Sequence, residues 1–199
     1  MRFTWFFDLL STALYTVFIQ NVVFNGGYAA SEAMMLAKKP RRLWLFSGMI
    51  AFFSTVTAVL CRALEFFPRL NALPTSLHFA LFSATLLVVY LITGTILKFS
   101  LGATEKFLAT LGMAALNTLV LAMPLLNRSA AYSLPESIGS GIGAGLAFVL
   151  AATLICKGLH FVSQDDEIPG AFRGTPAAFV YVALLSLAFS GFSGSSLFS

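Results

Sequence analysis

Charged residues are scarce in this chain. Only 10% of its 199 residues are charged, whereas 58% are hydrophobic and the mean hydropathy is +0.88. Soluble domains carry about a quarter charged residues, so the composition excludes a soluble domain of any size and predicts an all-α integral membrane protein. The net charge of +4 comes from residues spread through short loops. We therefore expect the chain to lie in a lipid bilayer and to bind no nucleic acid.

Cysteine is also scarce. The two cysteines, Cys61 and Cys156, stand in no Cys-x-x-Cys or Cys/His pattern, so the sequence contains no readable metal motif. Cys61 lies in the second predicted helix and Cys156 in the fifth, towards opposite sides of the membrane. A disulfide needs Cα atoms less than about 7 Å apart. We expect no disulfide between them and no cluster shared by them.

Six apolar segments separated by short polar breaks predict six transmembrane helices. Because every connection is short, the helices should form one compact bundle, a single membrane domain over residues 1–199. The segments are Phe6–Phe24, Leu43–Leu64, Leu77–Leu97, Phe107–Leu126, Ile138–His160 and Ala177–Phe198.

The first apolar run, residues 6–37, is too long for one plain span. A straight helix of that length would reach about 48 Å, against a hydrocarbon core of about 30 Å. Gly26 and Gly27 predict a break, because glycine tolerates the backbone angles that end helices. Broken backbone at membrane depth survives only where protein or a cavity satisfies its polar groups, so this segment is a candidate site. The alternative is an ordinary span ending near Phe24, followed by a short cytoplasmic amphipathic piece.

The two halves of the chain repeat weakly. Gln20-Asn21-Val22-Val23 is echoed by Leu116-Asn117-Thr118-Leu119. Three helices per repeat is an odd number, so the pattern predicts two inverted repeats, about 1–100 and 101–199, with broken first and fourth helices that meet at the midplane. Alternatively, each asparagine hydrogen-bonds a neighbouring helix, a contact worth about 1 kcal/mol or less.

Lys and Arg residues favour one orientation. Eight of the twelve lie beside the odd-numbered breaks and four on the other side, which predicts cytoplasmic odd-numbered loops and both termini outside. We expect a multi-pass protein of the bacterial inner membrane. The eight are Lys38, Lys39, Arg41, Arg42, Lys98, Lys106, Lys157 and Arg173.

Two further features have competing interpretations. Glu32 lies inside an apolar run, where acidic residues usually mark an ion or proton path; alternatively it lies near the interface, because Lys38 follows six residues later. Gly139, Gly141, Gly143 and Gly145 form overlapping small-xxx-small pairs, which predict close helix packing. A phosphate loop is excluded, because it needs a preceding strand and a following Lys.

The last third of the chain carries a more specific pattern. Residues 168–176, IPGAFRGTP, and 184–194, LLSLAFSGFSG, closely resemble the C-terminal signature of one membrane family. This is the family of the A subunit of Rnf electron-transport complexes and the E subunit of the sodium-pumping NADH:quinone reductase, Nqr. Arg173 and Gly174 belong to that motif, and Gln20-Asn21, Lys38-Lys39 and Asn117 match family positions nearer the front.

The resemblance implies six helices in two inverted repeats and a partner subunit of the same fold but opposite topology. It also implies a midplane two-iron two-sulfur cluster, to which each partner supplies two cysteines. Here Ser31 and Thr118 occupy the cysteine positions, and hydroxyls are poor ligands where soft sulfur is required. We therefore expect a divergent member that lacks the cluster cysteines, with no cofactor, metal or catalytic residue of its own.

Two functions stay open at this point. The first is a membrane subunit of an Rnf/Nqr-like ion-translocating complex without the usual cluster. The second is a non-redox carrier or scaffold that binds an ion or small solute in a polar midplane pocket. The predicted pocket residues are Asn21, Gly26, Gly27, Glu32 and Asn117, beside Ser31 and Thr118.

Overall fold

A computed structural model describes residues 2–36, 40–164 and 174–192, and these are all helical or in short connections. The ten helices in the described residues are α1 Arg2–Phe18, α2 Val22–Gly26, α3 Ala30–Leu36, α4 Pro40–Leu64, α5 Pro68–Asn71, α6 Thr75–Ser100, α7 Glu105–Ala115, α8 Thr118–Ser129, α9 Leu134–Gln164 and α10 Thr175–Phe192.

Four stretches are long and apolar enough to cross a membrane, and a shorter apolar helix spans Pro176–Gly191. The chain is thus a multi-pass membrane protein, as its composition predicts. The first apolar run, residues 6–37, forms α1, α2 and α3 over its described part rather than one straight helix. A total of six spans, the inverted repeat and the single domain over 1–199 stay predictions. The four long stretches are Arg42–Leu64, Thr75–Ser100, Glu105–Ser129 and Leu134–His160.

Helix α9 lies between α1 and α4 and packs mainly against these two helices. Its glycines make the close approach possible, as the sequence predicts. A Cβ added to Gly143 would lie 2.8 Å from the carbonyl oxygen of Ala13 in α1, and one added to Gly145 would lie 2.6 Å from the Cβ of Ala51 in α4. Any larger residue would have to push a neighbouring helix away.

The same contacts fix the directions of the helices. Along α9, Gly139 faces Leu9 of α1, whereas Gly141, one half-turn on, faces Thr55 of α4. Four residues further along α9, the contacts move forward in α1 and backward in α4. Helix α1 is therefore parallel to α9, and α4 is antiparallel to it.

An ion-pair cluster joins the ends of α4 and α8. The Glu65 carboxylate accepts from Arg62 Nη1 and from Arg128 Nη1, both at 2.8 Å. We call this side of the bundle, where α4 and α8 end and α1 and α9 begin, the Glu65 end. The segment α1–α3 runs away from the Glu65 end and the segment α7–α8 runs towards it.

Candidate functional site

The first interruption of the helix lies at Asn21, which caps α2. Its Oδ1 accepts from the backbone N–H of Val23 at 3.1 Å. Its Nδ2 donates to the carbonyl oxygen of Val17 at 3.0 Å and to that of Ala147 in α9 at 3.4 Å. The fully buried side chain therefore satisfies backbone groups on both sides of the break and ties the break to α9.

The second interruption follows after one short helix. Gly27 ends α2 in a left-handed conformation, at φ +68°, and its N–H bonds the carbonyl oxygen of Val22. A Cβ at Gly26 would overlap the ring of Tyr28, so a larger residue there would require this ring to move. The predicted break at Gly26 and Gly27 is confirmed, and the break at Asn21 precedes it. The helix is therefore interrupted at two places, Asn21 and Gly26–Gly27, and not at one.

Ala29 also has a left-handed backbone, with φ +59°. For a residue with a Cβ this conformation costs about 1–2 kcal/mol, so a compensating contact is expected. The backbone N–H of Ala29 donates to Oγ1 of Thr118 at 3.1 Å. Since Thr118 is the first residue of α8, this bond joins the first broken segment directly to the second.

The second broken segment is interrupted between Ala115 and Thr118. Asn117 caps α8, and its Oδ1 accepts from the backbone N–H of Leu119 at 2.9 Å. Asn117 is 2% exposed, and its Nδ2 has no hydrogen-bond partner within the described residues. The two asparagines that the weak repeat singles out therefore perform the same task, capping a helix that restarts within the bundle. Asn21 also has the alternative role, because its Nδ2 donates to the carbonyl oxygen of Ala147 in the neighbouring helix α9.

Ser31 and Glu32 follow Ala29 in the first turn of α3. Ser31 is exposed, and its Oγ donates to Oε2 of the half-buried Glu32 at 2.6 Å. A carboxylate in the first turn of a helix is favoured by the helix dipole. Both interpretations of Glu32, ion path and interface, stay predictions, because the loop that contains Lys38 lies outside the described residues.

The donor atoms at this site do not suit an iron–sulfur cluster. Ser31 and Thr118 offer neutral hydroxyls, whereas such clusters need soft ligands, usually thiolates. Cys61 is a free thiol buried in α4, and Cys156 is a free thiol exposed on α9. Among the described residues, no group of three or more His, Cys, Asp and Glu side chains is close enough to hold a metal ion.

The C-terminal motif is only partly visible. Arg173 and the rest of residues 168–173 lie outside the described residues, as do Lys38 and Lys39. Gly174 is exposed with φ +82°, a backbone that only glycine adopts freely. Its carbonyl oxygen accepts from the N–H of Ala178 at 3.0 Å, so Gly174 sets the start of α10.

Sequence reasoning missed two aspects of this site. The capping role of Asn21 and Asn117 was readable, because asparagine before an apolar helical stretch is a strong N-cap signal. The left-handed Ala29 was not readable, because nothing in an alanine distinguishes it from its helical neighbours.

Known proteins resemble this chain over nearly its whole length or over shorter parts of it. It is 30% identical over 191 residues to the A subunit of the ion-translocating oxidoreductase complex of Rhodobacter capsulatus, an alignment that covers 94% of this chain and 97% of that one. Over 82 residues, 41% of the chain and 42% of the relative, it is 35% identical to the A subunit of the proton-translocating ferredoxin:NAD(+) oxidoreductase complex of Clostridium ljungdahlii. Over 66 residues, 33% of the chain and 32% of the relative, it is 39% identical to the E subunit of the Na(+)-translocating NADH-quinone reductase of Pseudoalteromonas translucida. No profile of a known protein family matches the chain.

Proposed function

This chain belongs to the family of the Rnf A subunit and the Nqr E subunit, and from that membership we propose that it is a membrane component of an ion-translocating electron-transport complex. The relatives carry the names of such complexes, which translocate protons, sodium or an unspecified ion. The coupling ion of this chain is left open, because those relatives name different ions.

The observation that carries the proposal is the bond between Ala29 N–H and Thr118 Oγ1 at 3.1 Å. It brings the two broken segments together at Thr118, one of the two positions at which the family has a cluster cysteine. The segments run in opposite directions and each restarts at a capping asparagine. This arrangement supports two inverted repeats, with the chain retaining the family's scaffold.

We further propose that the chain holds no iron–sulfur cluster. Its two hydroxyls, on Ser31 and Thr118, replace the two thiolates that the family resemblance implies. The Thr118 oxygen already serves as an acceptor for backbone, which is a structural role. A small polar site with the Glu32 carboxylate beside Ser31 suits water, a proton or a hydrated cation better than an electron carrier.

The exposed side of the broken helices is an argument for a partner protein. Ser31 and Thr118 are exposed, as are the backbone-rich residues Asn25, Gly26 and Gly27. Irregular backbone does not occur facing lipid at membrane depth, because its polar groups would lack partners. We therefore propose that this face is covered by a homologous six-helix protein of opposite topology, in a bacterial inner membrane with both termini of this chain outside.

Purification in mild detergent tests the partner. We expect a second six-helix membrane protein to copurify. A phenylalanine ring at position 31 would hold the two surfaces apart, so Ser31→Phe should reduce the recovered partner at least about tenfold. A tenfold loss corresponds to about 1.4 kcal/mol in the free energy of binding. The matched control is Val88→Phe, which places the same ring at an exposed apolar position on α6. Clean monomer of full thermal stability, or equal partner recovery from both variants, would contradict the proposal.

Iron analysis of the complex tests the absence of a cluster. We expect no iron at this site by metal content and low-temperature paramagnetic resonance. The double variant Ser31→Cys, Thr118→Cys should acquire a reducible two-iron signal if the partner still offers two thiols. A wild-type signal that survives mutation of every partner cysteine outside this interface, and disappears in Ser31→Ala, would overturn the claim.

The carrier or scaffold alternative makes a different prediction. It rests on the same polar pocket, without a redox partner. Genomic neighbours encoding flavin-bearing or ferredoxin-like proteins would favour the electron-transport complex, and an isolated gene would favour the carrier. A solute that stabilises the isolated chain against heat, and loses this effect in Glu32→Gln, would also favour the carrier.

A further inference from the structure

Buried polar side chains without partners are concentrated in one half of the bundle. Eight buried side-chain nitrogen and oxygen atoms lack a hydrogen-bond partner within the described residues. Seven belong to the last half of α4, the first turn of α6, the last turn of α8 and the first turn of α9, all towards the Glu65 end. They are Ser54 Oγ, Thr55 Oγ1, Thr57 Oγ1, Arg62 Nε, His78 Nε2, Asn127 Nδ2 and Ser137 Oγ.

The concentration of seven of these atoms in one region makes it costly to leave them unsatisfied. Each buried polar group without a partner carries a desolvation penalty. Seven penalties in one region would rival the whole stability of a typical domain. Other Ser and Thr residues here bond a carbonyl one turn back, as Thr12, Thr16 and Thr85 do. Ser54 and Thr57 do not, so their hydroxyls are available to another partner.

Two of the unpaired groups, Ser54 Oγ and Thr57 Oγ1, lie on a stripe along one face of α4. Cys61 and Glu65 continue this stripe towards the Glu65 end, because the four residues are spaced by three, four and four. Ser54, Thr57 and Cys61 are at most 1% exposed. Ser54 lies ten residues from the last residue of α4, which is about 15 Å at 1.5 Å per residue and so near mid-membrane.

Helix α8 carries the second wall of the same region. Asn127 and Asn117 lie ten residues apart, again about 15 Å, and α4 and α8 end together at the Glu65–Arg128 ion pair. Asn117 is therefore at about the depth of Ser54. Its Nδ2 is the eighth unpaired atom, so the row of unpaired groups ends at the helix break.

Helices α9 and α6 contribute further polar atoms towards the Glu65 end. In α9, Ser140 Oγ donates to Oδ1 of Asn127 at 2.8 Å, which leaves the Nδ2 of that asparagine free to donate. In α6, Nδ1 of His78 lies 3.2 Å from the carbonyl oxygen of Pro74. A neutral imidazole that donates from Nδ1 presents Nε2 as an acceptor, and this atom is also buried and unpaired.

We propose that these groups bind a file of water molecules that leads from the Glu65 end of the bundle to Asn117 at the helix break. Hydroxyls, an amide N–H and an imidazole nitrogen supply both donors and acceptors, as internal water requires. No carboxylate belongs to the described residues of the file beyond Glu65 at its mouth, where two arginines already pair with it. The file therefore suits water, and protons carried by water, rather than a dehydrated metal cation.

Thiol modification tests the file without any assay of the complex. In a Cys61→Ala, Cys156→Ala background, single cysteines replace Ser54 or Ser47, and the folded protein is treated with a charged, water-soluble methanethiosulfonate. Ser47 is the matched control, because it is buried in the same helix and its Oγ is paired with the carbonyl oxygen of Gly145 at 2.7 Å. Ser47 also lies only five residues from Arg42, at one end of the span, whereas Ser54 lies ten residues from Leu64 at the other end.

We expect the cysteine at 54 to react about tenfold faster or more than the cysteine at 47, because only a hydrated thiol ionises readily and each unit of thiol pKa changes the thiolate tenfold. Equal or slower reaction at 54 would overturn the proposal. If Ser54→Cys does not fold, native Cys61 on the same stripe serves as the probe in the Cys156→Ala protein. Its modification in the folded state supports the file, and modification only after unfolding overturns it.

Discussion

The two capping asparagines give the sharpest test of how the broken helices are held. Asn21 and Asn117 each accept a backbone N–H through Oδ1. Only Asn21 also uses its Nδ2, to donate to Val17 and Ala147. Serine keeps an acceptor at the cap and removes the amide N–H groups. Comparing Asn21→Ser with Asn117→Ser therefore isolates what the Nδ2 bonds of Asn21 contribute.

The expected magnitudes follow from those bonds. Asn21→Ser removes two donors in a fully buried site and leaves carbonyl oxygens short of a partner, so we expect a loss of about 2 kcal/mol in the free energy of unfolding. Asn117→Ser gives up no bond from Nδ2 to the described protein atoms, so its cost should be about 1 kcal/mol or less. Alanine at either position should cost about 1 kcal/mol more, because it also removes the cap.

Unfolding of the purified protein in detergent, followed by circular dichroism, measures these differences. The exposed Asn25, whose Nδ2 donates to the carbonyl oxygen of Ile19 at 3.1 Å, provides a control; Asn25→Ser should change stability by about 0.5 kcal/mol or less. Equal losses for serine at positions 21 and 117 would refute the view that Asn21 holds the break through α9.

Three other predictions follow from the packing and the charges. Gly143→Ala should destabilise the bundle by about 1–3 kcal/mol, because its Cβ meets α1 backbone, whereas Gly94→Ala, with open space around it, should be neutral or stabilising in the same unfolding measurement. Glu65→Gln should cost about 1–2 kcal/mol, less than a fully buried pair, because the side chains of Arg62 and Arg128 are about a third exposed; a loss unchanged by deleting either arginine would contradict the ion-pair account. A C-terminal reporter active only in the cytoplasm should stay dark, and a bright signal would show that the Lys/Arg asymmetry was misread.

The sequence predicts the apolar elements of this fold well, because their signal is cumulative. The second to fifth predicted segments each fall within a described apolar stretch. The break at Gly26 and Gly27 is also predictable from the sequence, because glycine adopts a positive φ, here +68° at Gly27, at no steric cost. The start of α10 at Gly174 follows the same rule.

The rest depends on distant neighbours and is not readable from one segment. His78 stands near a helix end, and nothing in its own segment indicates that it is 1% exposed and packs against Phe82. The left-handed Ala29 is tolerated because Thr118, 89 residues further along the chain, accepts its N–H. Ser54 and Thr57 look like ordinary membrane-helix residues, since Ser and Thr usually bond the preceding turn. Only the three-dimensional arrangement shows that they do not.

The hydroxyl of Thr118 has a structural role that a cysteine would fill less well. A threonine oxygen accepts a hydrogen bond better than a thiol sulfur, which is a weak acceptor. In this chain that oxygen compensates for the left-handed Ala29 and fastens one broken segment to the other. On our proposal that Thr118 occupies a cluster-cysteine position, the hydroxyl strengthens the scaffold by the same substitution that removes a soft metal ligand. On the same proposal, loss of the ligand needs no loss of the fold, and this agrees with sequence similarity over 94% of a chain that has serine at position 31 and threonine at position 118.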